Sequence, residues 1–365
     1  MRLSDRTCGR LMRLPTATTE YTVTRGIPVP MRDGVDLIAD HYAPTTSTPA
    51  GTILVRGLYG RGGLASVTGA RVYAARGYHV VLQSVRGTFG SGGEFTPGRH
   101  EADDGADTVT WLRTQPWFTG RFATMGSSYL GYTQWALLVD PPPELATAII
   151  SVGPHDMSAA AWATGAFALN DFLGWSDLVA RQEDGRIKPF VVGLLGHWRV
   201  NPAMRALPLG EAGRRLLRDG APWYEDWVGH PDSTDEYWRS VRQTAALDRV
   251  QIPVLLITRW QDIFVEQTLY QYRHLRARRR SGAHRRSVDP RADRCQRRGR
   301  SHPRIAGLAG RASGRRAGAP TVEPRADLHH RARGMARPAR LAATRRREGA
   351  LPAARVDPRG PASAA

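Results

Sequence analysis

Four short apolar runs punctuate the first 155 residues: Thr52-Ile53-Leu54-Val55, His79-Val80-Val81-Leu82-Gln83, Phe122-Ala123-Thr124-Met125 and Ala146 to Val152. Runs this short, with little polar alternation, are the pattern of parallel strands buried on both faces. Segments of helical spacing separate them: Ala70 to Arg76 as a crossover helix, Glu101 to Gln115 with Val109, Leu112 and Trp111 toward its apolar side, and Tyr132 to Val139. Ahead of them, Tyr21 to Thr24, Ile27 to Pro30 and Val35 to Tyr42, with a turn at Asp33-Gly34, predict a hairpin at a sheet edge. A fifth run, Ile252 to Thr258, follows a long gap and leads into a helix from Glu266 to about Leu275. The alternation predicts a mostly parallel sheet with helices on both faces, an α/β domain.

The gap has a different character. Over residues 156–246 helical patterns broken by Gly and Pro replace the strand runs, and Trp162, Trp175, Trp198, Trp223, Trp227 and Trp238 all fall there. This predicts a helical cap inserted into the α/β domain, its aromatics filling the cap core or lining a pocket. The expected layout is a disordered N-terminus over 1–20, the α/β domain over 21–155 and 247–275, the cap over 156–246, and a tail over 276–365.

Charge sharpens the last boundary. The chain carries +19, which invites a nucleic-acid reading. Residues 1–275, however, hold 27 basic and 27 acidic side chains, and residues 276–365 hold 25 arginines against 6 acids. The tail also lacks Phe, Trp, Tyr and Lys, a composition that predicts disorder rather than a packed domain. Only Cys8 and Cys295 occur, so no disulfide framework or cysteine metal site is expected. Met1 to Pro15 holds no apolar stretch suited to a signal peptide or a membrane span, and the cytoplasm is the expected compartment.

The candidate chemistry centres on Gly126-Ser127-Ser128-Tyr129-Leu130-Gly131, between the third run and its helix. A nucleophile elbow strains the backbone at its serine and needs small residues where strand and helix nearly collide. Gly126 stands two residues before Ser128, which favours Ser128 over Ser127; Gly131 stands three after, one more than the general hydrolase spacing. An ordinary Gly/Ser turn fits the isolated motif equally well. A serine nucleophile also needs a base, an acid to orient it and donors for the oxyanion. Asp262 follows a late strand, where α/β-hydrolases carry the triad acid, although loop capping is the competing role. Tyr59, in Arg56-Gly57-Leu58-Tyr59-Gly60, is a candidate side-chain oxyanion donor, with the backbone N–H of Tyr129 as its partner; simple packing is the alternative.

Several motifs in order resemble the bacterial cocaine-esterase family of serine hydrolases, which shares its catalytic domain with the X-prolyl dipeptidyl aminopeptidases. They are Gly126-x-Ser128-Tyr129-x-Gly131 with Thr133-Gln134-Trp135, Val85-Arg86-Gly87 with Ser91-x-Gly93-Glu94-Phe95, Asp104-Gly105-x-Asp107-Thr108-x-x-Trp111-Leu112, and Gln115-Pro116-Trp117. The likeness covers roughly residues 22–275. It implies an α/β-hydrolase fold with a helical cap and a C-terminal jelly roll, with Ser128 as nucleophile, Asp262 as triad acid and Tyr59 as oxyanion donor. Ser84 departs from the aspartate usual in the family, and only a local effect is expected.

The pattern breaks after residue 275. The family's triad histidine lies in a Gly-x-Trp-x-His motif, and no such motif stands in this frame. His274 sits in the expected helix after Asp262, and His284, His302, His329 and His330 lie among arginines, so none is assigned as the base. Ninety residues without aromatics cannot build a jelly roll either. A reading frame shifted near Arg276 to Arg280 accounts for both absences. Permitted codons for Gly282 to Arg291, read one base along, encode Ala-Leu-Thr-Val-Gly-Arg-Trp-Thr-His. Those for Met335 to Ala343 encode Trp-Arg-Asp-Leu-Pro-Asp-Trp-Pro, which resembles the entry to the family's last domain.

The expected activity is therefore hydrolysis of acyl esters or amides through an acyl-enzyme, impaired in this frame, with no metal or organic cofactor. The expected partner is a small-molecule ester or peptide substrate, with no specific nucleic acid and no membrane. Esters are favoured over X-Pro peptides because the sequence identifies no acidic anchor for a substrate amino group. Nucleic-acid binding through the basic tail is the alternative of another class.

Overall fold

The computed structural model describes residues 9–10, 13–183 and 189–280. Cys8, Cys295 and the tail from 281, with His284, His302, His329 and His330, lie outside the described residues. Seven strands form one sheet: β1 (Tyr21–Pro30), β2 (Asp36–Pro44), β3 (Gly51–Gly57), β4 (Tyr78–Ser84), β5 (Phe122–Ser127), β6 (Leu145–Ser151) and β7 (Val254–Ile257). Their order is β1-β2-β4-β3-β5-β6-β7. The β1/β2 and β2/β4 pairs are antiparallel, and every other pair is parallel.

The apolar runs become strands because both faces are covered. Neighbouring residues alternate between two cores: Leu54 and Val81 pack with Leu112, Phe122 and Trp135, whereas Ile53, Val55, Val80 and Leu82 pack with Val72 and Tyr73. Val72 and Tyr73 belong to the crossover, α1, which runs as three abutting pieces, Gly63–Ser66, Val67–Arg71 and Val72–Ala74. Helix α2 (Glu101–Arg113) and helix α3 (Tyr129–Leu137) follow β4 and β5. This is the α/β-hydrolase fold.

Between β6 and β7 stands the helical cap: α4 (Met157–Trp162), α5 (Leu169–Arg181), α6 (Pro189–Met204), α7 (Leu209–Leu217), α8 (Trp223–Gly229) and α9 (Ala245–Arg249). Its core of Phe172, Leu173, Trp223, Tyr224, Trp227 and Trp238 is continuous with Leu58, Val85, Tyr129 and Tyr132 of the sheet domain. The cap is thus seated over the ends of β3 and β5. Among the described residues no helix is long and apolar enough to cross a membrane.

Three local features differ from the sequence expectation. The first hairpin arm is a single strand whose register shifts between Thr24 and Ile27, where Gly26 at φ 67° lets the strand bulge instead of break. Part of the stretch expected to be disordered is held down: the Thr18 and Thr19 N–H groups donate to the Ala75 carbonyl at 2.8 and 3.2 Å, and Leu14 packs on the α1 side of the sheet. Helix α10 (Val265–Arg280) runs past Leu275, because arginine and alanine are strong helix formers and no Gly or Pro intervenes before Gly282.

Candidate active site

The chain order reverses across the sheet between β3 and β5: the connection from β3 leads to β4 on one side, and that from β5 to β6 on the other. Such a switch point leaves a crevice beyond the carboxyl ends of the strands. Tyr59 follows β3 there, and Ser128 follows β5.

Ser128 has φ 58° and ψ −124°, outside the regions open to most residues. A conformation of this kind costs about 1–3 kcal/mol and persists only where the surroundings over-determine it. They do so here. The Ser128 N–H donates to the Ser151 carbonyl at 3.0 Å, and its own carbonyl accepts from the N–H groups of Gly131 (2.8 Å) and Tyr132 (3.1 Å). A Cβ on Gly126 would stand 2.4 Å from Leu130 Cβ, and one on Gly131 would stand 2.6 Å from Gly153 Cα. Those two glycines let α3 rest directly on β5 and β6. The N–H of Tyr129, first residue of α3, has no intrahelical acceptor by its position and is free to bind a ligand oxygen. Ser127 ends β5 and borders a different cavity, with Gly57 and Leu130.

The Tyr59 hydroxyl stands beside Trp175 and Ser128, both of which act on it. The indole N–H of Trp175 donates to it at 3.2 Å. Because an indole nitrogen can only donate, the phenol oxygen accepts from Trp175 and its own proton remains available to a ligand oxygen. Burial pushes the Tyr59 phenol above its ordinary range, with Trp175 and then Ser128 opposing, so the group is a neutral donor near pH 7. Trp175 was anticipated only as one of six cap aromatics, and composition cannot single out which of them reaches back to the elbow.

A buried polar network supports the elbow from below, and nothing in the sequence pattern marks it. The Tyr129 hydroxyl donates to Glu101 Oε1 at 2.8 Å and accepts from the Gly98 N–H at 2.8 Å. Glu101 Oε2 pairs with Arg56 at 3.2 Å, and the Arg56 Nε–H donates to Gln83 at 2.7 Å. Burial pushes the Glu101 carboxyl up, and Arg56 opposes that most strongly. Arg56 lies on β3, three residues before Tyr59, so the network ties both sides of the crevice together. At Ser84 the hydroxyl accepts from Arg61, whose Nε is also paired with Asp40 at 3.2 Å. A carboxylate on the neighbouring strand thus meets that charge.

Asp262 lies in the turn between β7 and α10, partly buried, its Oδ1 accepting the Phe264 N–H at 2.8 Å. The next two residues, Ile263 and Phe264, line the same cavity as Ser128, whereas Asp262 itself does not. No histidine among the described residues is bonded to Ser128 or Asp262. His41 and His79 meet each other at 3.0 Å, His155 meets Gln271 at 3.1 Å, His230 meets the Asp226 carbonyl at 2.7 Å and His274 meets Asp248 at 2.8 Å. Burial pushes His155 down to about 4, which leaves it a neutral core residue.

The cavity above Ser128 has a volume of about 70 Å³ and is walled by Met157, Phe172, Trp175 and Trp227 of the cap, with Asp171 among them. A strained serine, a neutral phenol, a free N–H and an apolar wall together suit attack on a carbonyl carbon with the oxygen held between two donors. Among the described residues no group of three or more His, Cys, Asp or Glu is arranged to hold a metal ion.

A family model described as X-Pro dipeptidyl-peptidase (S15 family) matches residues 33–288. The cocaine esterase of Rhodococcus sp. (strain MB1 Bresler) is 34% identical over 266 residues, covering 68% of this chain and 46% of that protein. Among solved structures, an aminopeptidase from the marine sediment archaeon Thaumarchaeota archaeon aligns with a TM-score of 0.55 at 22% identity, over 70% of this chain and 46% of its own. An α-amino acid ester hydrolase aligns with a TM-score of 0.55 at 20% identity, over 73% and 47%. At such identities the structural likeness speaks for the fold alone. The chain spans just under half the length of each of these proteins.

Proposed function

The chain belongs to the S15 family of X-Pro dipeptidyl-peptidases, and from that premise we propose that it is a serine hydrolase, cleaving acyl ester or amide bonds through an acyl-enzyme on Ser128. The observation that carries the reading is the strained Ser128 beside the buried, neutral phenol of Tyr59 at the wall of an aromatic cavity. Ser128 Oγ bonds to the substrate carbonyl carbon, its proton passes to a base, and the carbonyl electrons move to oxygen. The Tyr59 hydroxyl and the Tyr129 N–H donate to that oxyanion. Collapse expels the alcohol or amine with the proton, and water then releases the acid from Ser128.

Asp262 is assigned to orient the base. The base itself is assigned to the histidine of the Gly-x-Trp-x-His motif that a one-base shift restores over Gly282 to Arg291. Two observations support a further strand and cover at that point. Among the described residues the sheet ends in β7, with Leu255 and Ile257 41% and 44% exposed. A cavity of about 400 Å³ opens between Ile257, Tyr59 and α1. In the present frame the oxyanion donors and binding alone would leave roughly 10³–10⁴-fold catalysis over water.

Sequencing the gene around codon 276 and expressing the repaired chain tests this. The repaired protein is expected to hydrolyse short p-nitrophenyl esters or X-Pro anilides, to lose that activity on Ser128→Ala, and to exceed the present chain greatly. Equal rates for both chains, or activity surviving Ser128→Ala, would overturn the proposal. The ratio of ester to anilide hydrolysis decides the substrate class.

A further inference from the structure

We propose that cap helix α5 is the strut of the loop that carries Tyr59: Trp175 and Gln182 are positioning residues that aim the Tyr59 hydroxyl, so the seating of the cap sets the strength of the oxyanion hole. The inference deepens the reading of Ser128 as nucleophile and rests on it for its link to catalysis.

Tyr59 lies in the connection from β3 to α1, and three side chains of α5 and its C-terminal end reach that connection. The Trp175 indole N–H donates to the Tyr59 hydroxyl at 3.2 Å, and the Gln182 amide, at the C-cap of α5, donates to the Leu58 carbonyl at 2.8 Å. Seven residues apart, the two share one face of the helix. Next to them, Glu183 Oε1 accepts the Phe89 N–H at 2.9 Å, and Phe89 packs on Gly60, where a Cβ would stand 2.9 Å from its ring. Leu58, Tyr59 and Gly60 are thus each met from α5, directly or through Phe89. On the sheet side Arg61 ties the loop to Asp40 at 3.2 Å, to Ser84 and to the Phe89 carbonyl at 3.0 Å. Those bonds hold the backbone of the loop and leave the direction of the phenol hydroxyl to α5.

That direction matters for the chemistry. A phenol O–H lies in the plane of its ring in one of two orientations, and a donor facing one side excludes the orientation that points the proton at it. Trp175 therefore leaves the Tyr59 proton on the side away from the indole. Accepting that bond also strengthens the phenol as a donor, since linked hydrogen bonds polarise one another. The Trp175 ring stacks as well on the ring of Tyr129, 21° apart with centroids at 6.0 Å, and the Tyr129 N–H is the second oxyanion donor. One cap side chain thus touches both donor-bearing residues. Cohesion of the cap does not require these polar bonds, because its apolar core already continues into Leu58, Val85, Tyr129 and Tyr132 and Gln243 donates to the Tyr132 hydroxyl at 2.8 Å.

The present chain serves for the test, with butylboronic acid as the probe. Its boron takes an electron pair from Ser128 Oγ, the hydroxyl proton passes to water, and the anionic tetrahedral adduct places an oxygen before the two donors; boron NMR follows its formation. Trp175→Phe keeps a ring against Tyr129, and Gln182 does not line the Ser128 cavity, so neither change removes a wall of the site. Each should weaken boronate affinity about three- to tenfold, and neither should weaken it further in a Tyr59→Phe background. Unchanged affinity in both variants, or losses that add to that of Tyr59→Phe, would overturn the proposal. A second arm needs no adduct: the Trp175 indole N–H signal, identified by its absence in Trp175→Phe, should shift upfield in Tyr59→Phe and in Gln182→Ala, and a signal indifferent to both would also overturn it. An adduct that survives Ser128→Ala sinks the nucleophile reading alone, and a Ser128-dependent adduct indifferent to Trp175 and Gln182 sinks the strut alone.

Discussion

Replacing Tyr59 with phenylalanine removes one oxygen and keeps the ring that packs beneath the cap. That oxygen accepts from Trp175 at 3.2 Å and stands beside Ser128. If its proton is one of two donors to the oxyanion, its loss should lower kcat by about 10²–10³, or about 2.7–4 kcal/mol of transition-state stabilisation. KM should change little, because the donor is strengthened only as charge develops on oxygen. The stability effect is smaller. An indole N–H left without its acceptor costs about 1–3 kcal/mol when fully buried, and Trp175 is only partly buried, so about 1 kcal/mol is expected. The assay is steady-state hydrolysis of a p-nitrophenyl ester by the repaired chain, with kcat and KM resolved and thermal unfolding recorded alongside. A kcat within about threefold of the parent, an effect below about 0.7 kcal/mol, would refute the reasoning and make Tyr59 merely the anchor of Trp175.

Two further predictions concern stability and apply to the present chain. Gly131→Ala sets a Cβ 2.6 Å from the backbone Cα of Gly153, which cannot move aside as a side-chain end can. It should cost about 1–3 kcal/mol, read as a lower urea midpoint; an unchanged midpoint would contradict the close seating of α3. Burial pushes His41 and His155 each down to about 4, so the fold keeps them neutral while the unfolded chain protonates them below about 6.5. Their stabilisation is therefore complete above about 6.5 and is lost as pH falls toward 4, amounting to about 1–2 kcal/mol per histidine by pH 5. Urea midpoints at pH 7 and 5 should fall accordingly and fall less in His155→Gln; equal midpoints would contradict it.

The elbow was legible because its geometry demands particular residues at particular spacings. Gly126 and Gly131 mark the contacts with Leu130 and Gly153, and short apolar runs mark strands whose faces are both covered. Long-range polar pairing was not legible. Glu101 at the start of α2 reads as an ordinary first-turn acid, and only the sheet order brings it to Arg56 and the Tyr129 hydroxyl. The cap shows the same limit: Trp175 borders the crevice, Trp238 is fully buried and Trp198 is 79% exposed, although all three sit in similar helical patterns.

The claim on which the rest depends is that Ser128 is the nucleophile, and covalent trapping addresses it directly. The repaired chain is treated with a fluorophosphonate and digested, and the modified peptide is sequenced by tandem mass spectrometry. The account predicts a single adduct on Ser128, absent in Ser128→Ala and strongly slowed in Tyr59→Phe. An adduct on Ser127 or another serine, or a correctly framed and folded protein that is not labelled at all, would contradict it.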